Sequence, residues 1–160
     1  MSLQYLPLGN ARPGSTPDVG TVLVVEDNSG DELFILRALR NAKLNTNVVV
    51  ARDGQEALEF LFRQGEHSSR PRSTDPSVIL LDLHLPVVPG IDVLRKIKST
   101  EALRRLPVVV MTSNESERDL AECYELGANS VVQKGRFLED FKQSVGLTVT
   151  YWTQVNVNSF

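Results

Sequence analysis

From Thr21 onward the chain alternates between short apolar runs, mostly β-branched, and longer stretches in which apolar positions recur with helical period. The runs Val22–Val25, Val48–Ala51, Val78–Leu81, Val108–Met111 and Val131–Val132 are mostly continuous rather than alternating, as strands covered on both faces are. Between them Ile35, Ala38, Leu39 and Ala42 repeat at i, i+3, i+4, i+7. Leu120, Cys123, Tyr124 and Gly127 repeat that spacing, and Ala57, Phe60 and Leu61 give a shorter version. Ile91, Leu94 and Lys98 mark a further helix. Phe137, Phe141 and Val145 mark the last, which has room to run on toward Trp152 despite Gly146.

Five strands and five helices in strict alternation predict an α/β fold, a doubly wound five-stranded parallel sheet of flavodoxin-like order 2-1-3-4-5. Gly65–Asp75, with Arg70-Pro71-Arg72-Ser73, is a polar loop. Residues 1–20 hold Pro7, Gly9, Pro13, Gly14, Pro17 and Gly20 and are expected to be a flexible leader; residues 21–147 are the expected folded domain. Residues 148–160 form a C-terminal extension whose Val149, Tyr151, Trp152, Val155, Val157 and Phe160 are surplus to a core complete before Val145. Such a segment is expected to join an interface with a second copy rather than fold back.

Composition narrows the function classes. A length of 160 residues favours one domain, and 41% hydrophobic with 23% charged residues is ordinary for a globular chain. Seventeen basic against twenty acidic side chains give a net charge of −3, which does not draw the chain to a nucleic-acid backbone. No apolar run is long enough to span a membrane, and the start lacks a signal-peptide pattern. The single Cys123 excludes an intrachain disulfide. A cytoplasmic location is expected.

Candidate chemistry lies at the carboxyl ends of the strands, where a doubly wound sheet binds ligands at its switch point. Glu26 and Asp27 end the first strand and Asp82 ends the third. Three carboxylates at one spot repel one another and resist desolvation, so they raise their pKa values or bind a cation. Hard oxygen ligands with open positions suit Mg²⁺, and a carboxylate beside it is a candidate nucleophile toward phosphorus. Thr112 and Lys134 end the fourth and fifth strands on the same face, offering a hydroxyl and an ammonium to phosphoryl oxygens. Each residue also has a plainer reading: Asp27 as a helix N-cap, Asp82 as a loop carboxylate, Thr112 as the cap of a helix starting near Glu115, Lys134 as a solvated charge. Their joint placement at four strand ends favours one site.

Val24-Val25-Glu26-Asp27-Asn28, Leu80-Leu81-Asp82-Leu83-His84-Leu85-Pro86 with Gly90, Met111-Thr112-Ser113 and Lys134 together resemble the signature of response-regulator receiver domains, over about Thr21 to Val145. The resemblance implies Asp82 as phosphoacceptor, with Glu26, Asp27, Asp82 and the His84 main-chain carbonyl holding Mg²⁺. It also implies Thr112 as the switch hydroxyl, Lys134 as the phosphate partner, and a phosphorelay switch rather than an enzyme. The long Arg-Pro-Arg loop, the stretch Lys134-Gly135-Arg136-Phe137-Leu138-Glu139-Asp140-Phe141 and the Tyr151-Trp152 ending resemble small stand-alone response regulators of bacterial phytochromes. That likeness implies a phytochrome-type histidine kinase as partner and a homodimer. Two positions depart from the family pattern: Gly135 stands where most receivers have proline, and Val131 where many have an aromatic ring that swings inward.

Three rivals remain. An aspartyl-nucleophile phosphohydrolase needs a second Asp two residues after the nucleophile, where this chain has His84. A nucleotide- or flavin-binding module needs a Gly- or Ser/Thr-rich phosphate loop after the first strand, where Glu26-Asp27-Asn28 is acidic. A receiver that docks without being phosphorylated would not need the five-residue site.

Overall fold

A computed structural model describes residues 3–7, 20–44, 46–113, 116–135 and 138–157. Five parallel strands run β2 (Thr21–Val25), β3 (Asn47–Ala51), β4 (Pro76–Asp82), β5 (Val108–Thr112) and β6 (Ser130–Gln133), preceded in the chain by β1 (Gln4–Pro7). Helices α1 (Ser29–Asn41), α2 (Gly54–Phe62), α3 (Gly90–Ser99), α4 (Glu117–Glu125) and α5 (Leu138–Thr150) connect and follow them. Spatial order is β1-β3-β2-β4-β5-β6, so the core strands adopt the expected 2-1-3-4-5 order.

The apolar runs divide by strand periodicity into two cores. Leu23, Val25, Ile79, Leu81, Val108 and Val110 pack with Phe60, Leu94, Ile97 and Cys123 of α2, α3 and α4. Val22, Val24, Val78, Leu80, Val109 and Met111 pack on the other face with Ile35 and Leu39 of α1 and Phe141 and Val145 of α5. The expected α4 face is rotated, because Tyr124 is 55% exposed while Cys123 is buried. Gly127, expected on that face, instead lies past the helix end at φ 98°. Phe137 lies outside the described residues.

Two expectations about the termini need correction. Residues 1–20 are not all leader: Gln4–Pro7 pair antiparallel with Asn47–Val50, making the sheet six-stranded. Leu3 is buried in the first core, and Arg52 donates to Gln4 Oε1 at 2.9 Å and to both Glu32 carboxylate oxygens, clasping β1 to the sheet. Nor is the core complete before Val145. α5 continues through Gly146 to Thr150, a π-helical turn follows at Tyr151–Val155, Val149 is fully buried, and Trp152 packs partly against the second core. Leu147, Tyr151 and Val155 remain exposed, and Phe160 lies outside the described residues.

The polar loop contains two 3₁₀ turns, Gly65–His67 and Arg72–Thr74. Arg63 pairs with both Asp75 oxygens at 2.6 Å, and Arg70 reaches Asp75 at 2.8 Å while its guanidinium lies 4.0 Å over the Phe60 ring. These contacts anchor the loop to the end of α2.

Candidate functional site

β2 and β4 are adjacent central strands, so their carboxyl ends bring Glu26, Asp27 and Asp82 together. One carboxylate oxygen from each can be chosen so that all three lie within 4.8 Å of one another. Glu26 is fully buried, Asp82 nearly so, and Asp27 faces solvent. Oxygen-only donors with one open side suit a hard divalent cation that keeps several waters, so Mg²⁺ fits this set.

The plainer readings lose ground. The N-cap of α1 is Asn28, whose side chain accepts from the N–H groups of Gly30 and Asp31 at 2.9 and 3.0 Å, which leaves Asp27 unused as a cap. The cap of α4 is Ser116, in a complete capping box with Asp119, so Thr112 is not needed there. The Thr112 hydroxyl is buried and has no hydrogen-bond partner among the described residues. A buried, unpartnered hydroxyl costs about 1–3 kcal/mol and so points to an acceptor that arrives with a ligand.

Lys134 is not a solvated charge. Its ammonium donates to Asp82 Oδ2 at 2.6 Å, Glu26 Oε2 at 2.7 Å and Asp31 Oδ2 at 2.9 Å, and its side chain is 9% exposed. Its backbone N–H donates to the Thr112 carbonyl at 2.7 Å, fixing the two strand ends together. Burial alone would lower its pKa, but hydrogen bonds to Asp82, Glu26 and Asp31 outweigh it and hold the pKa above the ordinary lysine value. Burial pushes Glu26 up to about 7, Lys134 opposes that rise, and the Asp82 charge adds to it.

The loop after Asp82 is held from two sides. The His84 N–H donates to Asp82 Oδ1 at 3.0 Å, and the Gly90 N–H donates to the Leu83 carbonyl at 3.0 Å. α3 starts so close to the strand end that a Cβ on Gly90 would lie 2.0 Å from the Asp82 carbonyl oxygen. Val87 in this loop has φ 65°, a conformation unfavourable for a β-branched residue.

Of the residues singled out in the sequence, Glu26, Asp27, Asp82 and Lys134 converge on this mouth. Thr112 lies at the adjoining end of β5, tied to Lys134 through the backbone. Val131 is partly buried against the first core. A Cβ at Gly135 would meet nothing within 4 Å among the described residues, so none of them requires glycine there. The residue not anticipated is Asp31; its only sequence signal is an acid at the third position of a capped helix.

A sheet of this order with an acid cluster and a lysine at its switch point defines the receiver class, and the receiver-domain family model of response regulators matches residues 22–145; the chain belongs to that family. It is 37% identical over 133 residues to response regulator Rcp1 of Synechocystis sp., covering 83% of this chain and 88% of that one. The crystal structure of the phosphorylated cyanobacterial phytochrome response regulator RcpA superposes with a TM-score of 0.80 at 36% identity, covering 87% of this chain and 97% of that one. The Mn²⁺-bound form of Rcp1 gives a TM-score of 0.81 at 35% identity, covering 88% and 99%. Among the described residues no helix is long and apolar enough to cross a membrane.

Proposed function

We propose that this receiver takes a phosphoryl group onto Asp82 from a phosphohistidine of a histidine kinase and switches state in response. An Asp82 carboxylate oxygen attacks phosphorus, the P–N bond breaks, and the departing imidazole nitrogen takes up a proton. Glu26, Asp27, Asp82 and the His84 main-chain carbonyl would hold Mg²⁺. When bound, that ion neutralises charge on the transferring phosphoryl oxygens. Lys134 pairs with a phosphoryl oxygen, and the Thr112 hydroxyl donates to another. The observation that carries this reading is the Lys134 ammonium seated on the buried Asp82 carboxylate beside the acid cluster.

Likeness to phytochrome response regulators supports a phytochrome-type kinase as the donor and a cytoplasmic location. The exposed stripe Leu147, Tyr151 and Val155, spaced four residues apart, with Leu147 lining one surface groove together with Tyr124, supports a homodimer built on α4 and α5. With Val131 in place of a mobile ring, the state of Thr112 reaches that face through β6 itself. Incubation with acetyl phosphate and Mg²⁺ tests the chemistry. One phosphoryl group should be added to the wild type and none to Asp82→Asn; labelling of that variant would overturn the assignment.

A further inference from the structure

The two capped helices nearest the site use the same helix position differently. In α4 the third residue after the cap, Asp119, reaches back to the Ser116 N–H, completing a capping box. In α1 the equivalent residue is Asp31, but the Asn28 N–H donates instead to Glu26 Oε1 at 3.1 Å. Asp31 thereby lacks the usual acceptor duty of its position, and its Oδ2 lies 2.9 Å from the Lys134 ammonium. Lys134 is thus shared among three carboxylates, of which only Glu26 and Asp82 belong to the metal cluster.

We propose that Asp31 is a positioning residue that draws the Lys134 ammonium toward α1 and so loosens its hold on Glu26 and Asp82; this rests on the receiver reading above. Two consequences follow from competition for one ammonium. In the resting protein a lysine partly held by Asp31 competes less with a divalent cation for Glu26 and Asp82. In the phosphorylated protein Asp31 competes with the phosphoryl group for the same cation, which shortens the life of the aspartyl phosphate. Asp31 is one-third exposed, so each effect has the size of a partly screened ion pair, about two- to fivefold.

The experiment is calorimetric titration of the full-length, unphosphorylated protein with Mg²⁺, together with decay of the phosphoryl label after acetyl phosphate is removed. Asp31→Asn should bind Mg²⁺ about two- to fivefold more weakly and keep its label about two- to fivefold longer, and Asp31→Glu should restore both. In a Lys134→Met background the effect of Asp31→Asn on Mg²⁺ binding should vanish. Unchanged Mg²⁺ affinity in Asp31→Asn, or an effect that persists undiminished without the lysine, overturns the proposal. The titration needs no phosphoryl donor. A wild type that fails to label therefore counts against the receiver chemistry alone, whereas a labelled wild type indistinguishable from Asp31→Asn counts against Asp31 alone.

Discussion

Gly90→Ala places a methyl group where the backbone leaves no room. The new Cβ would sit 2.0 Å from the Asp82 carbonyl oxygen and 2.7 Å from the Leu83 Cα, whereas real Cβ contacts essentially never fall below 3.0 Å. The obstructing atoms are backbone, so no rotamer change relieves the clash; the end of β4 or the start of α3 must retreat by about 1 Å. Overpacking of this kind costs about 1–3 kcal/mol. The displaced segment also carries Asp82 and the Gly90–Leu83 hydrogen bond. A misplacement of about 1 Å at a reacting group can slow chemistry by about 10²-fold. Urea denaturation and the initial rate of labelling by acetyl phosphate measure the two effects separately. Gly135→Ala is the matched control, since its Cβ meets nothing among the described residues and the same substitution there should leave stability unchanged or raise it by up to about 1 kcal/mol. If Gly90→Ala kept wild-type stability and labelling rate, the close approach of α3 to the strand that ends at Asp82 would be wrong.

Thr112→Val removes a buried hydroxyl that has no partner among the described residues, so the unphosphorylated protein should gain about 1 kcal/mol in stability. The phosphorylated form should lose the roughly 1.5–3 kcal/mol of a hydrogen bond to a charged group; thermal melts of both forms reveal the opposite signs, and a parallel loss in both would sink the idea. Glu26 is raised from 4.5 to about 7, so its protonated form stabilises the metal-free fold below about 4.5, and that contribution is lost as the pH rises through about 7. Mg²⁺ must displace this proton, so its apparent affinity is full above about 7 and falls by up to about tenfold per unit below it; a flat profile, or one that Glu26→Gln leaves intact, would contradict this. Leu147→Lys combined with Tyr151→Ser should shift the full chain from dimer to monomer in sedimentation, while a wild type that stays monomeric at high micromolar concentration, phosphorylated or not, would remove the α4–α5 interface.

The central sheet was readable because each strand is a short apolar run flanked by helical periodicity, and in a doubly wound fold that order also dictates which strand ends meet. Glu26, Asp27, Asp82, Thr112 and Lys134 could therefore be picked as terminal residues of four strands. Asp31 could not, since its role depends on the Lys134 side chain crossing from β6 and on Glu26 taking the Asn28 N–H, neither of which leaves a local pattern. β1 was hidden for a related reason: four residues ending in proline carry little strand signal, and the pairing with β3 is antiparallel and long-range. In the C-terminal segment, composition could not divide Val149, which faces the core, from Leu147 and Tyr151, which face out. That division comes from α5 persisting through Gly146.

By lying along β3, the first residues of the chain fill the place that an incoming strand from another molecule would take. The row Asn47–Val50 finds its outer hydrogen-bonding partners within its own polypeptide, and the new border it presents is four residues long and closes on a proline that has no N–H to offer. Sheet-to-sheet joining of copies is thereby discouraged on that flank. The proposed α4–α5 contact, by contrast, would use side chains on the helical flank, which can respond to the state of the strand ends. Cleavage after residue 7 would remove that guard and leave three consecutive valines on a bare sheet margin.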